Sequence, residues 1–354
     1  MSPTPDFSLI IPTFNSERTL ERTLESIRGQ EYDQELVEIL VVDGGSSDAT
    51  RQIAERFGCT VLDNPRVQQE YAKYIGFTGA RGKAAIFIDS DESFESELSL
   101  AARAQVMRAH PDYRFVMSSG YRKPPGASAV NDYINMFSDP FAYFMSGVSG
   151  EAGLFEEGWR KRFEVVEEGG LFTGFVVPPG AIQPTVDMAA GNTVDLEFLS
   201  REFAREMESS IIIPRIFYLV AGAAPRIALL KGDAIVHYSA DSMRTYLNKL
   251  DWRVKVNIHY KDIPGTGYSN REQYQPARAN AKKLLFLPYA LTFVAPLAQG
   301  IAKAVRLRRP VALLHPFFTF YVGVDIVWQQ ALKMVGRKPP LKTYGKQEQE
   351  LDLD

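Results

Sequence analysis

Residues 86–92 read Ile-Phe-Ile-Asp-Ser-Asp-Glu, an apolar run that ends in closely spaced carboxylates. Alternate side chains on an extended chain point the same way. Asp89 and Asp91 can therefore present oxygens to one hard cation, directly or through water. Mg2+ or Mn2+ suits such ligands and a diphosphate held against them. An isolated Asp-x-Asp is a weak signal that a solvated acidic turn also accounts for, because carboxylates favour the positive end of a following helix. Two further apolar runs end in polar residues: Thr13 and Asn15 close the first, and Asp43 closes the second.

These residues need elements to bring them together. Residues 7–14 (FSLIIPTF), 38–43 (EILVVD), 59–62, 84–89 (AAIFID) and 114–118 read as strands. Helical spacing of Leu20, Leu24 and Ile27 follows a Ser16 cap, and Ile53, Ala54 and Phe57 follow a Ser47 cap. Further helices are expected over residues 68–78, closed by Gly79, and over 96–109. Strands alternating with helices at this spacing predict an α/β fold, a mostly parallel sheet with helices on both faces. Ligands bind such sheets beyond the carboxyl ends of the strands, where Thr13, Asn15, Asp43, Asp89 and Asp91 all fall. Residues 121–191 mix glycine, proline and aromatic residues and read as a loop-rich substrate region. A helix over 194–207 and two short strands around Lys231-Gly232-Asp233 follow.

Three segments in this order carry a resemblance: Pro12-Thr13-Phe14-Asn15, Val41-Val42-Asp43-Gly44-Gly45-Ser46-Ser47-Asp48-Ala49-Thr50, and Phe87-Ile88-Asp89-Ser90-Asp91. Together they resemble the family 2 glycosyltransferases of the GT-A fold, closely over about the first 120 residues and loosely over the next 120. The resemblance implies a nucleoside diphosphate-sugar donor lying over the strand ends. In that arrangement Asp43 accepts a hydrogen bond from the nucleobase, and Pro12, Thr13, Asn15 and Glu17 lie beside base and ribose. Asp89 meets ribose or metal, and Asp91 meets the metal. Lys73 falls near a position where many members carry an arginine; it either approaches the diphosphate or is a solvated helix lysine.

The chemistry this implies is inverting sugar transfer. A divalent cation offsets charge growing on the leaving diphosphate. The sugar passes through an oxocarbenium-like state, and the acceptor hydroxyl needs a general base on the opposite face. Many relatives place that base in a Glu-Asp pair opening a helix in the second half. With Gly191 as anchor, Asn192 and Thr193 occupy that pair, leaving Asp195 as the nearest carboxylate and Glu197 second. Asp195 is equally readable as a first-turn carboxylate answering the helix dipole. His237 ends a strand where many relatives have a histidine near the diphosphate or metal; a histidine satisfied by its own fold is the other reading. Trp252 and Arg253 either line an acceptor groove or pack.

The C-terminal quarter differs in character. Residues 284–302 carry no charge, which is long enough for a span, yet Pro288 and Pro296 interrupt them and both flanks are basic. A second apolar run follows at 311–324. The expectation is a pair of helices lying in a membrane interface or dipping in and returning, with basic clusters on anionic headgroups. Two true spans, or a helical subdomain packed on the core, are the alternatives. This predicts a catalytic domain over 1–255 (a nucleotide-binding half 1–120 and an acceptor half 121–255), membrane-associated helices over 256–345 and a disordered tail 346–354. The acceptor is then lipid-linked or a saccharide, and the enzyme works at the cytoplasmic face of a membrane.

Composition narrows the field further. Of 354 residues, 45% are hydrophobic and 23% charged, the balance of a packed protein. A formal net charge of −3 gives no whole-chain attraction to nucleic acid. The single cysteine, Cys59, excludes an intramolecular disulfide and a cysteine zinc site, and reads as a small buried residue. The N-terminus lacks a basic stretch followed by a long apolar run and reads as no signal peptide. A nucleotidyltransferase would want a glycine-rich basic loop after the first strand, where this chain has Pro-Thr-Phe-Asn-Ser-Glu-Arg. A nucleotide-sugar-binding protein without transferase activity stays open, because Asn192 and Thr193 cannot act as bases.

Overall fold

The computed structural model describes residues 4–181, 186–239, 242–261 and 268–341. The expected tail at 346–354 lies outside them. The chain opens as β1 (Phe7–Thr13), α1 (Leu20–Arg28), β2 (Val37–Asp43), α2 (Thr50–Arg56), β3 (Thr60–Asp63), α3 (Gln69–Gly79) and β4 (Ala84–Phe87). It continues through β5 (Glu92–Phe94), α4 (Ser99–Ala109), β6 (Phe115–Met117), β7 (Tyr121–Arg122), α5 (Ala129–Phe137), α6 (Pro140–Ser146) and α7 (Leu154–Arg160). Next come β8 (Glu164–Glu168), β9 (Phe172–Val176), β10 (Asn192–Asp195), α8 (Leu196–Glu202), α9 (Ile216–Ala223), β11 (Arg226–Leu230) and β12 (Ile235–His237). The remainder is helical: α10 (Met243–His259), α11 (Ala277–Lys282), α12 (Phe286–Leu291), α13 (Val294–Leu307) and α14 (His315–Met334).

Among the described residues the large sheet has the order β3-β2-β1-β4-β10-β6-β11-β9-β8, and a small sheet has the order β5-β12-β7. β3, β2, β1 and β4 run parallel, so the ends carrying Thr13, Asp43 and the run leading to Asp89 lie along one edge. β10 runs antiparallel to both β4 and β6. The period-two rule puts the two faces of β1 into different cores: Leu9 and Ile11 pack with Leu20, Leu24 and Ile53, while Ile10 packs with Phe77, Phe87 and Phe115. Both cores are closed to water, which fixes strand register and with it the position of every strand end.

A third core joins Tyr133 and Phe137 of α5, Tyr246, Leu250 and Val254 of α10, Phe286 of α12, and Phe318 and Val322 of α14. The C-terminal quarter is thus packed on the rest through α5 and α10. The expected boundary at residue 255 falls inside α10, whose unbroken helix runs through His259; helical hydrogen bonding and shared packing leave no break there.

Candidate active site

The first wall of the site is a pair of loops locked to each other. Asn15 adopts a positive φ of 49°, a conformation that asparagine tolerates better than most residues. Its amide donates to Ser46 Oγ at 2.8 Å, and Ser47 N donates to Asn15 Oδ1 at 2.9 Å. Glu17 N donates to Asp48 Oδ2, while Ala49 N donates back to Glu17 Oε2. Pro12, Thr13, Asn15 and Glu17 all line one large cleft of about 2220 Å³.

Asp43 departs from its expected role as a nucleobase acceptor. It is 1% exposed. Thr13 Oγ1 and Ser46 Oγ donate to its Oδ1, while Gly45 N, Ser46 N and Arg51 Nη1 donate to its Oδ2. A carboxylate offers about four lone-pair sites, so these donors saturate it. Asp43 holds the loop; Thr13, bonded to it, is the residue of the pair that faces the cleft.

The second wall is the turn after β4. Asp89, Ser90, Asp91 and Glu92 line the cleft together with Lys73 and His237. Lys73, buried at 2% exposure, places its Nζ 3.1 Å from Asp89 Oδ1. Burial alone would lower the Lys73 pKa, but Asp89 and Glu70 more than offset it and hold the ammonium above its usual range. The reading of Lys73 as a solvated helix lysine is therefore excluded. Ser16 Oγ meets Ser90 Oγ at 2.9 Å, which ties the two walls together. Glu92 is consumed locally: Tyr121 donates to its Oε1, and the amides of Asp89 and Ala190 donate to its Oε2. Burial, with Asp89 and Asp91 adding repulsion, pushes Glu92 up to about 8.

His237 arrives from the small sheet, where it pairs with Glu92 across β5, and its ring stacks on Tyr121. Its Nε2 lies 3.8 Å from Asp91 Oδ2, and its Nδ1 has no hydrogen-bond partner among the described residues. Burial, then the positive charge of Lys249, lowers its pKa to about 3, so the ring is neutral and able to donate a lone pair. These donors fit a hard divalent cation. Among the described residues no three acidic, histidine or cysteine side chains already converge on one point. The fit is to an open site, of the kind in which one or two carboxylates share the cation with substrate phosphates.

Asp195 and Glu197 are corrected by the topology. Because β10 runs against β4, Asn192 lies opposite Phe87 at the cleft edge, and Asp195 lies opposite Ala84 at the far edge. Neither carboxylate lines the cleft. Asp195 instead caps α8, accepting from Phe198 N at 2.8 Å, and takes Arg114 Nη1 at 2.6 Å. Asp195→Ala is expected to lower stability by about 1–2 kcal/mol, the cost of a lost cap and its ion pair, and to leave turnover within about twofold. Denaturant melts and initial rates measured on the same preparations check this.

The cleft holds residues that the sequence did not single out. Asp187, on the loop before β10, pairs with Arg271. Asp139 also lines the cleft, but caps α6 through Phe141 N and Ala142 N and pairs with Arg253. Trp252 and Arg253, candidates for a groove, do line it. Arg271 gives no signal in the sequence, since nothing around it marks an element that faces the strand ends.

Residues 8–150 match the family model described as glycosyl transferase family 2. A poly(ribitol-phosphate) beta-N-acetylglucosaminyltransferase, TarS, of Staphylococcus aureus is 30% identical over 122 residues, 32% of this chain and 21% of that protein. A GalNAc(5)-diNAcBac-PP-undecaprenol beta-1,3-glucosyltransferase of Campylobacter jejuni is 30% identical over 125 residues, 32% of this chain and 38% of that one. The matched segment thus spans between about a fifth and two fifths of these relatives' length. Among solved structures, the mannosyltransferase PcManGT of Pyrobaculum calidifontis, in complex with GDP-Man and Mn2+, superimposes with a TM-score of 0.50 at 16% identity. That match covers 92% of this chain and 88% of PcManGT, a likeness of fold. The strand-end loops, the Asp89–Asp91 turn and the strand order between them thus lie in residues 8–150, the part of the chain that matches glycosyl transferase family 2.

Proposed function

We propose that the chain transfers a sugar, with inversion, from a nucleoside diphosphate-sugar to a lipid-linked or saccharide acceptor at the cytoplasmic face of a membrane. The observation that carries this reading is one cleft shared by the 12–17 loop, Lys73, Asp89, Asp91 and His237 with Asp187, Trp252 and Arg253. PcManGT, which has this fold, was solved with GDP-Man and Mn2+. The Campylobacter relative carries an undecaprenol-linked acceptor in its name.

In this reading Thr13, Asn15 and Glu17 form the seat of base and ribose, and Lys73 approaches the diphosphate beside Asp89. Asp89, Asp91 and His237 would hold Mg2+ or Mn2+, which supplies compensation for the charge gathering on the leaving diphosphate. Asp187 takes the place of Asp195 as general base. It sits on a different segment from the metal carboxylates. Although burial opposes it, Arg271 and Lys73 hold its carboxyl below the usual range, so it is ionised. Glu92 and Asp139 are spent on local donors, and burial raises Glu70. The acceptor hydroxyl oxygen bonds to the anomeric carbon as its proton passes to Asp187. The bond from that carbon to the diphosphate oxygen breaks, and its electron pair leaves with the nucleoside diphosphate.

A melting screen of UDP, GDP and dTDP, each with and without Mn2+, tests the donor site. Saturation at 100 times Kd adds about 2.7 kcal/mol, a rise of several degrees expected only with the cation. If none of these nucleotides raises the melting temperature in the presence of Mn2+, the donor reading fails.

A further inference from the structure

The exposed apolar surface is confined to one place. Of the eighteen large hydrophobic side chains exposed among the described residues, fifteen lie between Leu284 and Val335. On α13 they are Val294, Leu297, Ile301 and Val305, spaced along one helical face. On α14 they are Phe317, Phe320, Val324, Val327, Trp328 and Met334. The buried polar residues of α14 take the opposite face. His315 meets Tyr133, Gln329 meets His259 and Asp325, and Thr319 bonds back to the His315 carbonyl.

We propose that this outer face of α13 and α14 is a monotopic docking surface for a bilayer carrying anionic headgroups, with neither helix crossing it. The proposal deepens the membrane part of the function above.

Geometry excludes a crossing by either helix. α13 has 14 residues, about 21 Å of helix against a hydrocarbon core of about 30 Å. The helices before it, Ala277–Leu291, meet it at a bend of 82°. The stretch Pro310–Met334 has the length and hydropathy of a span, but 44% of its apolar window is buried in the protein. Its inner side lies along α10, where Lys333 Nζ donates to the Ile258 carbonyl and Gln329 reaches Asp251. Crossing would carry α10, with Lys249, Asp251, Arg253 and Lys255, into hydrocarbon, at several kcal/mol for each unsatisfied polar group. A helix with one apolar face outward and the other on protein lies in the interface plane.

Charge selects the occupant. Residues 276–340 contain ten lysines and arginines and a single acid, Asp325, which is 9% exposed, in a chain of net charge −3. Arg308, Arg337 and Lys338 are exposed beside the apolar face. A second copy of this chain would bring like charges together across the contact, whereas anionic headgroups neutralise them.

Trp328, 59% exposed on this face, is a built-in reporter, since Trp159 is buried and Trp252 lies in the cleft. The full chain is mixed with vesicles of phosphatidylcholine alone or with phosphatidylglycerol. The expected result is a blue shift of emission that Trp328→Phe removes, with partitioning about tenfold weaker without the anionic lipid. Phosphatidylcholine brominated near the headgroup should quench Trp328 more than lipid brominated near the chain ends. The double variant Ile301→Glu with Phe320→Glu should lose at least about tenfold in partitioning while keeping its nucleotide-induced melting shift. That retained shift keeps this test independent of the donor reading. Absence of vesicle binding, self-association through this face, or quenching strongest from chain-end bromines would each overturn the proposal.

Discussion

Asp91→Asn is expected to lower kcat by about a thousandfold, or about 4 kcal/mol of transition-state stabilisation, and to abolish the Mn2+-dependent part of the nucleotide melting shift. The substitution is isosteric and leaves the backbone bond from Tyr238 N to the Asp91 carbonyl in place, so the turn after β4 should keep its shape. What it removes is a charged oxygen at the meeting point of the two sheets, 3.8 Å from His237 Nε2. Two carboxylates and a neutral imidazole are the donors the chain offers here, and a cation shared with a diphosphate depends on each of them. Asp89→Asn should act differently. Its Oδ1 faces Lys73 Nζ at 3.1 Å, so losing its charge leaves a buried ammonium without its nearest counter-ion and costs stability as well as turnover. Metal titrations followed by nucleotide release, with melts of each variant, separate the two. Full activity in Asp91→Asn would refute the role given to this turn.

The elements that carry Thr13, Asp43 and Asp89 were legible because each is a short apolar run with a turn behind it. α3 ends at Gly79, where that glycine marks its close. Local pattern fails where structure depends on distant partners. Val194 and Asp195 read as the start of a helix over 194–207, yet they close the strand Asn192–Asp195, because β4 and β6 each leave an open edge and a chain between them satisfies both hydrogen-bond ladders. That one difference reverses the direction of the segment and moves Asp195 from the cleft to the opposite edge. Gly191, at a positive φ of 67°, makes the turn into β10, and a Cβ there would crowd Arg103 and Ser118. Cys59, expected to be buried, is half-buried just before β3, and burial still raises its thiol to about 11. Asp187 and Arg271 are 84 residues apart, and no spacing rule connects them.

Asp187→Asn is expected to cut transfer by about a hundred- to ten-thousandfold, the usual contribution of a positioned general base, while the nucleotide melting shift stays at its wild-type value. Position and charge together point to this carboxylate. In the proposed inversion the acceptor approaches the sugar from the side opposite the diphosphate, so its base would come from a segment other than the Asp89–Asp91 turn, and the loop before β10 is such a segment. Arg271 holds the Asp187 carboxyl below the ordinary aspartate value of 3.8. A base must be deprotonated to work, so the acid limb of kcat/KM should fall below the ordinary aspartate range. Arg271→Met removes the cation that depresses this carboxyl and should move the limb to higher pH, without the collapse in rate expected of Asp187→Asn. A purely structural part for the pair would lower both variants' stability and leave the limb where it was. Wild-type turnover in Asp187→Asn, with acceptor saturating, would require the proton to be taken by another group and would remove Asp187 from the reaction.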